Sequence, residues 1–121
     1  MAPSERGVVL LVEDNEELRN AVLRALRQAG YRVASAPDGR SAMRWLGEHT
    51  RPALILLDLW MPNTDGWGVR KEIASHPHLR DIPIIVMTAA LQQTAEELNV
   101  KAVLEKPVTL TDLIATVEKY I

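Results

Sequence analysis

Hydrophobic residues fall along this chain in two alternating rhythms. Short apolar runs such as Val8-Val9-Leu10-Leu11-Val12 and Ala53-Leu54-Ile55-Leu56-Leu57 alternate with longer stretches in which apolar positions recur every three or four residues. The runs predict strands over Val8–Glu13, Tyr31–Ala36, Ala53–Leu57, Pro83–Thr88 and Lys101–Glu105. A helix is expected after each. Asn15 caps the first, Glu16 and Glu17 sit in its first turn where the helix dipole favours negative charge, and Gly30 stops it. Leu18, Val22, Ala25, Leu26 and Ala29 form its apolar face. The second covers Arg40–Glu48 after a turn at Pro37-Asp38-Gly39. Asp65 caps the third, which carries Val69 and Ile73; a short fourth covers Gln93–Leu98. The fifth runs over Thr109–Lys119, with Leu110, Leu113, Ile114 and Val117 on one face.

Strict strand–helix alternation predicts an α/β fold, a parallel sheet covered by helices on both faces. The first, third and fourth strands are nearly continuous apolar runs, as interior strands must be. The second and fifth mix in polar residues and suit the edges. A doubly wound, flavodoxin-like five-stranded sheet of order 2-1-3-4-5 satisfies this pattern with right-handed crossovers. In that order the first and third strands meet at the topological switch point, whose carboxyl edge is where such sheets bind ligands.

Length and composition narrow the picture. The chain has 121 residues, 47% of them hydrophobic, which suits one domain over residues 1–121, with residues 1–7 read as a loose tail. A formal net charge of -2 with mixed signs gives no basic footprint for nucleic acid. There are no cysteines, which removes disulfides and thiolate metal sites. The first residues resemble no signal peptide, and no run approaches the ~20 apolar residues of a membrane span, so the expected location is the cytoplasm.

The chemistry gathers at the strand ends. The third run ends at Asp58, and the first at Glu13 and Asp14. With those strands adjacent, three carboxylates converge, a costly arrangement unless a hard cation or a shared proton relieves it. The fourth strand stops at Thr88 and the fifth at Lys106-Pro107. Three carboxylates suit Mg²⁺, an oxygen-seeking cation. A lysine and a hydroxyl beside them suit a phosphoryl group in transfer, and an aspartate can be the nucleophile.

The sequence resembles the receiver domain of two-component response regulators, the chemotaxis-regulator type, over essentially its whole length. The resemblance rests on Val12-Glu13-Asp14-Asn15, Leu57-Asp58-Leu59-Trp60-Met61-Pro62 with Asp65-Gly66, Met87-Thr88-Ala89 and Glu105-Lys106-Pro107, each at a strand end and in order. It implies that Asp58 takes phosphate from a phosphohistidine of a sensor kinase or histidine phosphotransfer protein. It implies Mg²⁺ held by Glu13, Asp14, Asp58 and the Trp60 backbone carbonyl, with Glu13 acting directly or through water. It implies that Thr88, the Ala89 amide and Lys106 bind the phosphate, and that Lys106-Pro107 is cis. It implies a switched surface read by a downstream protein, a linked output domain or a second copy. It makes the protein a phosphoacceptor rather than an enzyme acting on outside substrates.

Three departures from the resemblance stand out. Val103 occupies the place of the family's switch aromatic, three residues before the lysine. The stretch from Thr88 to Lys106 is about one helical turn shorter than usual, and Leu98-Asn99-Val100-Lys101-Ala102 replaces a Gly-Ala segment. Trp60 is a large side chain two positions after the acceptor, expected to border the site and report on it.

Other readings compete. An aspartate-nucleophile phosphohydrolase of the haloacid dehalogenase type needs a second aspartate where Trp60 stands. A flavin-phosphate module would be repelled by Glu13-Asp14-Asn15-Glu16-Glu17. A receiver-like interaction module that has lost its phosphorylation chemistry is a further alternative. Trp45 and Trp67 read as packing residues, His49 as a polar residue near a helix end, and His76-Pro77-His78 as an exposed loop.

Overall fold

Five parallel strands form one sheet in the order β2-β1-β3-β4-β5: β1 (Val8–Val12), β2 (Arg32–Ala36), β3 (Leu54–Asp58), β4 (Ile84–Thr88) and β5 (Ala102–Glu105). The order expected from the apolar runs is the observed one. β1, β3 and β4 are buried almost throughout, whereas β2 and β5 are half-open edges. The computed structural model describes residues 2–49, 51–59, 66–89 and 95–121, with backbone alone for Gly66 and Trp67. Expectations placed on Trp60, on residues 61–65 including the Asp65 cap, on the Trp67 side chain and on Gln93 lie outside these.

Five α-helices connect the strands: α1 (Glu16–Gln28), α2 (Gly39–Glu48), α3 (Gly66–Ser75), α4 (Ala95–Leu98) and α5 (Leu110–Tyr120). The strand period of two sorts side chains into two cores. Val9, Leu11, Leu54, Leu56, Ile85 and Met87 pack with Val22 and Leu26 of α1 and Leu113 and Val117 of α5. Leu10, Val12, Ile55, Leu57 and Val86 pack on the other face with Ala42 and Leu46 of α2, Val69 and Ile73 of α3 and Leu98 of α4. Each such fully buried aliphatic side chain contributes about 1.5–3 kcal/mol of transfer free energy.

Helix ends follow local chemistry. Asn15, Asp38 and Thr109 cap α1, α2 and α5 by accepting from the amides of Leu18, Ser41 and Asp112. Gly30, at φ 96°, ends α1: its amide donates to Arg27 and that of Tyr31 to Leu26. α4 stops by the same double bond pattern. Asn99, at φ 55°, donates to Glu96, and Val100 to Ala95. Asparagine thus fills the left-handed position that glycine fills after α1. The replaced Gly-Ala segment therefore still carries a helix stop.

Near the amino terminus, Pro3–Glu5 form one 3-10 turn. Arg32 Nε donates to the Ser4 carbonyl at 3.0 Å and ties this turn to the edge strand β2. Trp45 packs on the core beneath α2, as expected, and its ring stacks on His49 at 4.6 Å between centroids. His76-Pro77-His78 lies in the turn after α3, with Pro77 and His78 exposed.

Candidate functional site

Parity explains how the strand ends converge. Glu13 continues the alternation of Val9 and Leu11, Asp58 that of Leu54 and Leu56, and Lys106 that of Ala102 and Leu104, all on the α1/α5 face. β1 pairs directly with β3, bringing Val12 beside Leu57, one residue short of both acids. Glu13 is fully buried and Asp58 nearly so; Asp14 is more open. One carboxylate oxygen from each lies within 4.8 Å of the others. Among the described residues this is the one cluster of three acidic, histidine or cysteine side chains able to hold a metal ion.

Lys106 closes the cluster. Its Nζ donates to Glu13 Oε1 at 2.7 Å and lies 3.2 Å from Asp58 Oδ2. Burial alone pulls the pKa of this ammonium down. The hydrogen bond to Glu13 and the charges of Asp58 and Glu13 outweigh that and hold it above its ordinary value. The Lys106-Pro107 peptide is cis, as the resemblance implies, and the Lys106 amide donates to the Thr88 carbonyl at 2.8 Å.

Thr88 is buried at the end of β4, and Ala89 follows it, exposed. Thr88 has the opposite parity from Asp58. It continues Ile84 and Val86 on the face of α2, α3 and α4. Val103, opposite Val86 in the β4–β5 register, packs on that same face. The acid cluster and the threonine therefore approach one edge from the two sides of the sheet.

Two supporting groups were not evident from sequence. The Asn15 amide donates to Glu13 Oε2 at 3.1 Å, so the residue that caps α1 also steadies the buried acid. Arg19, one turn into α1, donates from Nη1 to the backbone carbonyl of Glu13 at 3.0 Å and of Asp14 at 3.4 Å. The only signal was an arginine one helical turn after an acidic pair, which usually means a solvated helix face.

The donor set is chemically coherent. Three carboxylates are countered by one ammonium, leaving two negative charges. Hard oxygen ligands with that residual charge suit a divalent cation of the Mg²⁺ class. A buried aspartate next to a lysine suits attack on an electrophile whose own oxygens are negative.

The family model for the response regulator receiver domain matches residues 9–118. The probable methanogenesis regulatory protein FilR2 of Methanothrix harundinacea is 33% identical, over 93% of this chain and 79% of FilR2. The transcriptional regulatory protein PdtaR of Mycobacterium tuberculosis is 37% identical, over 91% of this chain and 54% of PdtaR, so the chain spans about half of that relative. A solved receiver domain of a Pseudomonas aeruginosa sensor histidine kinase, with magnesium in its active-site cleft, is 33% identical. It superposes with a TM-score of 0.81 over 94% of this chain and 96% of that one.

Proposed function

This chain belongs to the response regulator receiver domain family of two-component signalling, and we propose that Asp58 is its phosphoacceptor. The observation that carries this reading is the position of Lys106, bridging Glu13 and the nearly buried Asp58 at the carboxyl edge of β1, β3 and β5. The donor is a phosphohistidine on a sensor kinase or histidine phosphotransfer protein, and the compartment assigned with it is the cytoplasm.

In the reaction an Asp58 carboxylate oxygen attacks phosphorus in line. The phosphorus–nitrogen bond breaks, its electron pair stays on the imidazole, and an acyl phosphate results. Lys106 lies within reach of Asp58 and neutralises the phosphoryl oxygens as they arrive. Glu13, Asp14, Asp58 and the Trp60 carbonyl would hold Mg²⁺, Glu13 directly or through water. When bound, that cation offsets the charge of the acids and of the incoming phosphoryl group. The Thr88 hydroxyl and the Ala89 amide take phosphate oxygens of the product.

The response begins at Thr88. Its move toward the phosphate shifts the balance between two states of the loop and helix that follow. With Val103 in place of an aromatic, the change is carried by that loop and α4. A downstream protein, a linked output domain or a second copy of the chain reads the altered surface. The protein is a switch that modifies itself rather than an enzyme with an outside substrate.

Incubation with acetyl phosphate and Mg²⁺, followed by intact-mass measurement, tests the assignment. One phosphoryl group is expected on the parent, and none on Asp58→Asn or after chelation with EDTA. Equal labelling of parent and Asp58→Asn would move the acceptor elsewhere.

A further inference from the structure

At the amino ends of β4 and β5, four strand residues or about 13 Å from Thr88, a cavity of about 290 Å³ opens between α3, the turn before β4 and the stop after α4. Its size falls near the lower end of small-molecule sites. Arg70, Arg80, Lys101 and Asp81 stand in its wall, and its accessible lining is mainly polar, Ile73 and Ile82 being buried behind it. No ion pair joins Asp81 to any of the three cations, among the described residues. The wall thus carries two net positive charges.

Arg70 adds an independent observation. Its Nε is buried and has no hydrogen-bond partner among the described residues. A buried donor left unmade costs about 1–3 kcal/mol. Guanidinium groups favour planar, paired contacts with oxyanions. The two net charges match a phosphate monoester, which carries about -1.5 to -2 at pH 7.

We propose that this cavity binds the phosphate group of a small phosphomonoester on Arg70, Arg80 and Lys101. The site is distinct from the Asp58 cluster, which lies at the opposite edge of the sheet and whose carboxylates repel a phosphate in the absence of a cation. Asn99 and Val100 form both the stop of α4 and one wall of the cavity. A ligand there would tie α3 to the α4–β5 junction.

The test is a titration of the ¹⁵N-labelled protein with phenyl phosphate in EDTA, followed by amide chemical shifts. Saturable shifts are expected at Ile84, Asn99 and Lys101, with Asp14 and Ala89 unmoved. Benzoate, which lacks the second charge, should bind about tenfold more weakly. Arg70→Met should weaken phenyl phosphate about tenfold or more without lowering the melting temperature, because it also removes the orphan donor. Lys101→Met, at an exposed position, should weaken it several-fold and serves as the check if Arg70→Met is unstable. Shifts centred on Asp14 and Ala89, no saturable shift at Asn99 and Lys101, or unchanged affinity in both variants would each overturn the proposal.

Discussion

A single ammonium, Lys106 Nζ, spans two buried acids on different strands, 2.7 Å from Glu13 Oε1 and 3.2 Å from Asp58 Oδ2. Removing one member of a buried ion pair leaves the others uncompensated. Lys106→Met is therefore expected to lose about 3 kcal/mol of stability in EDTA. Saturating Mg²⁺ should recover part of that loss. Labelling by acetyl phosphate should slow by about 100-fold, the usual scale for losing one preorganised charge stabiliser. Urea melts with and without Mg²⁺, alongside a labelling time course, measure all three.

Asp58→Asn is expected to behave in the opposite way in the melt. Among the described residues, Asp58 feels two carboxylates whose oxygens come within 4.8 Å and one ammonium at 3.2 Å. At an effective dielectric constant of ~20 the repulsion exceeds the attraction by about 1–2 kcal/mol. The variant should gain roughly that much stability while losing all labelling. A less stable Asp58→Asn would show that the cluster is better compensated than its charges suggest.

Asn99 gives a backbone test. An ordinary L-residue in the left-handed region costs about 1–2 kcal/mol, and asparagine and glycine tolerate it best. Asn99→Val should therefore destabilise by that amount, and Asn99→Gly should be neutral or better. Thermal melts of the two variants decide whether the observed φ of 55° governs the end of α4.

The cap at Asp38 sets part of the acid limb. Its carboxylate accepts from the Ser41 amide at 2.7 Å, and hydrogen bonds to the Ser41 backbone and side chain hold its pKa below the ordinary value. A depressed folded-state pKa adds stability above the unfolded value, about 3.9, that is lost as pH falls through the folded one. Asp38→Ala should cost about 1 kcal/mol at pH 7. The gap from the parent should close below about pH 4. Denaturant melts at pH 3 and pH 7 provide the comparison.

Amide exchange tests the route of the response. With a beryllofluoride phosphoryl mimic and Mg²⁺, protection is expected to change at Thr88 and Ala89 and across Ala95–Val100. Changes confined to Glu13, Asp14 and Asp58 would show that α4 does not carry the signal.

The core and the candidate site were legible in the sequence for one reason: interior parallel strands are apolar along their length, so a charge that ends one stands out. Asp58 and Glu13 were visible in that way, whereas Lys106 follows a half-open edge strand and stood out only beside Pro107 at a strand end. Strand bounds differ by one residue at Glu13, Tyr31, Ala53, Asp58, Pro83 and Lys101, where backbone pairing rather than hydropathy decides the end. The 3-10 turn at Pro3–Glu5 left no signal, because one turn has no period and its anchor, Arg32, is 28 residues from Ser4. The Arg70 cavity was equally silent. Its cations are spread over three segments, and each alone reads as a solvated surface residue.

The opposite parities of Asp58 and Thr88 have a further consequence for traffic through the molecule. The acid that would be modified emerges on the α1/α5 side, and the hydroxyl that would answer it emerges on the side of α2, α3 and α4. In the proposed switch the sheet would act as a bulkhead one strand thick, with delivery on one side and readout on the other. A donor leaning on α1 and a recipient reading α4 would stand back to back rather than queue for the same ground. The readout side, where Val103 packs, could then be remodelled while the delivery side keeps its chemistry.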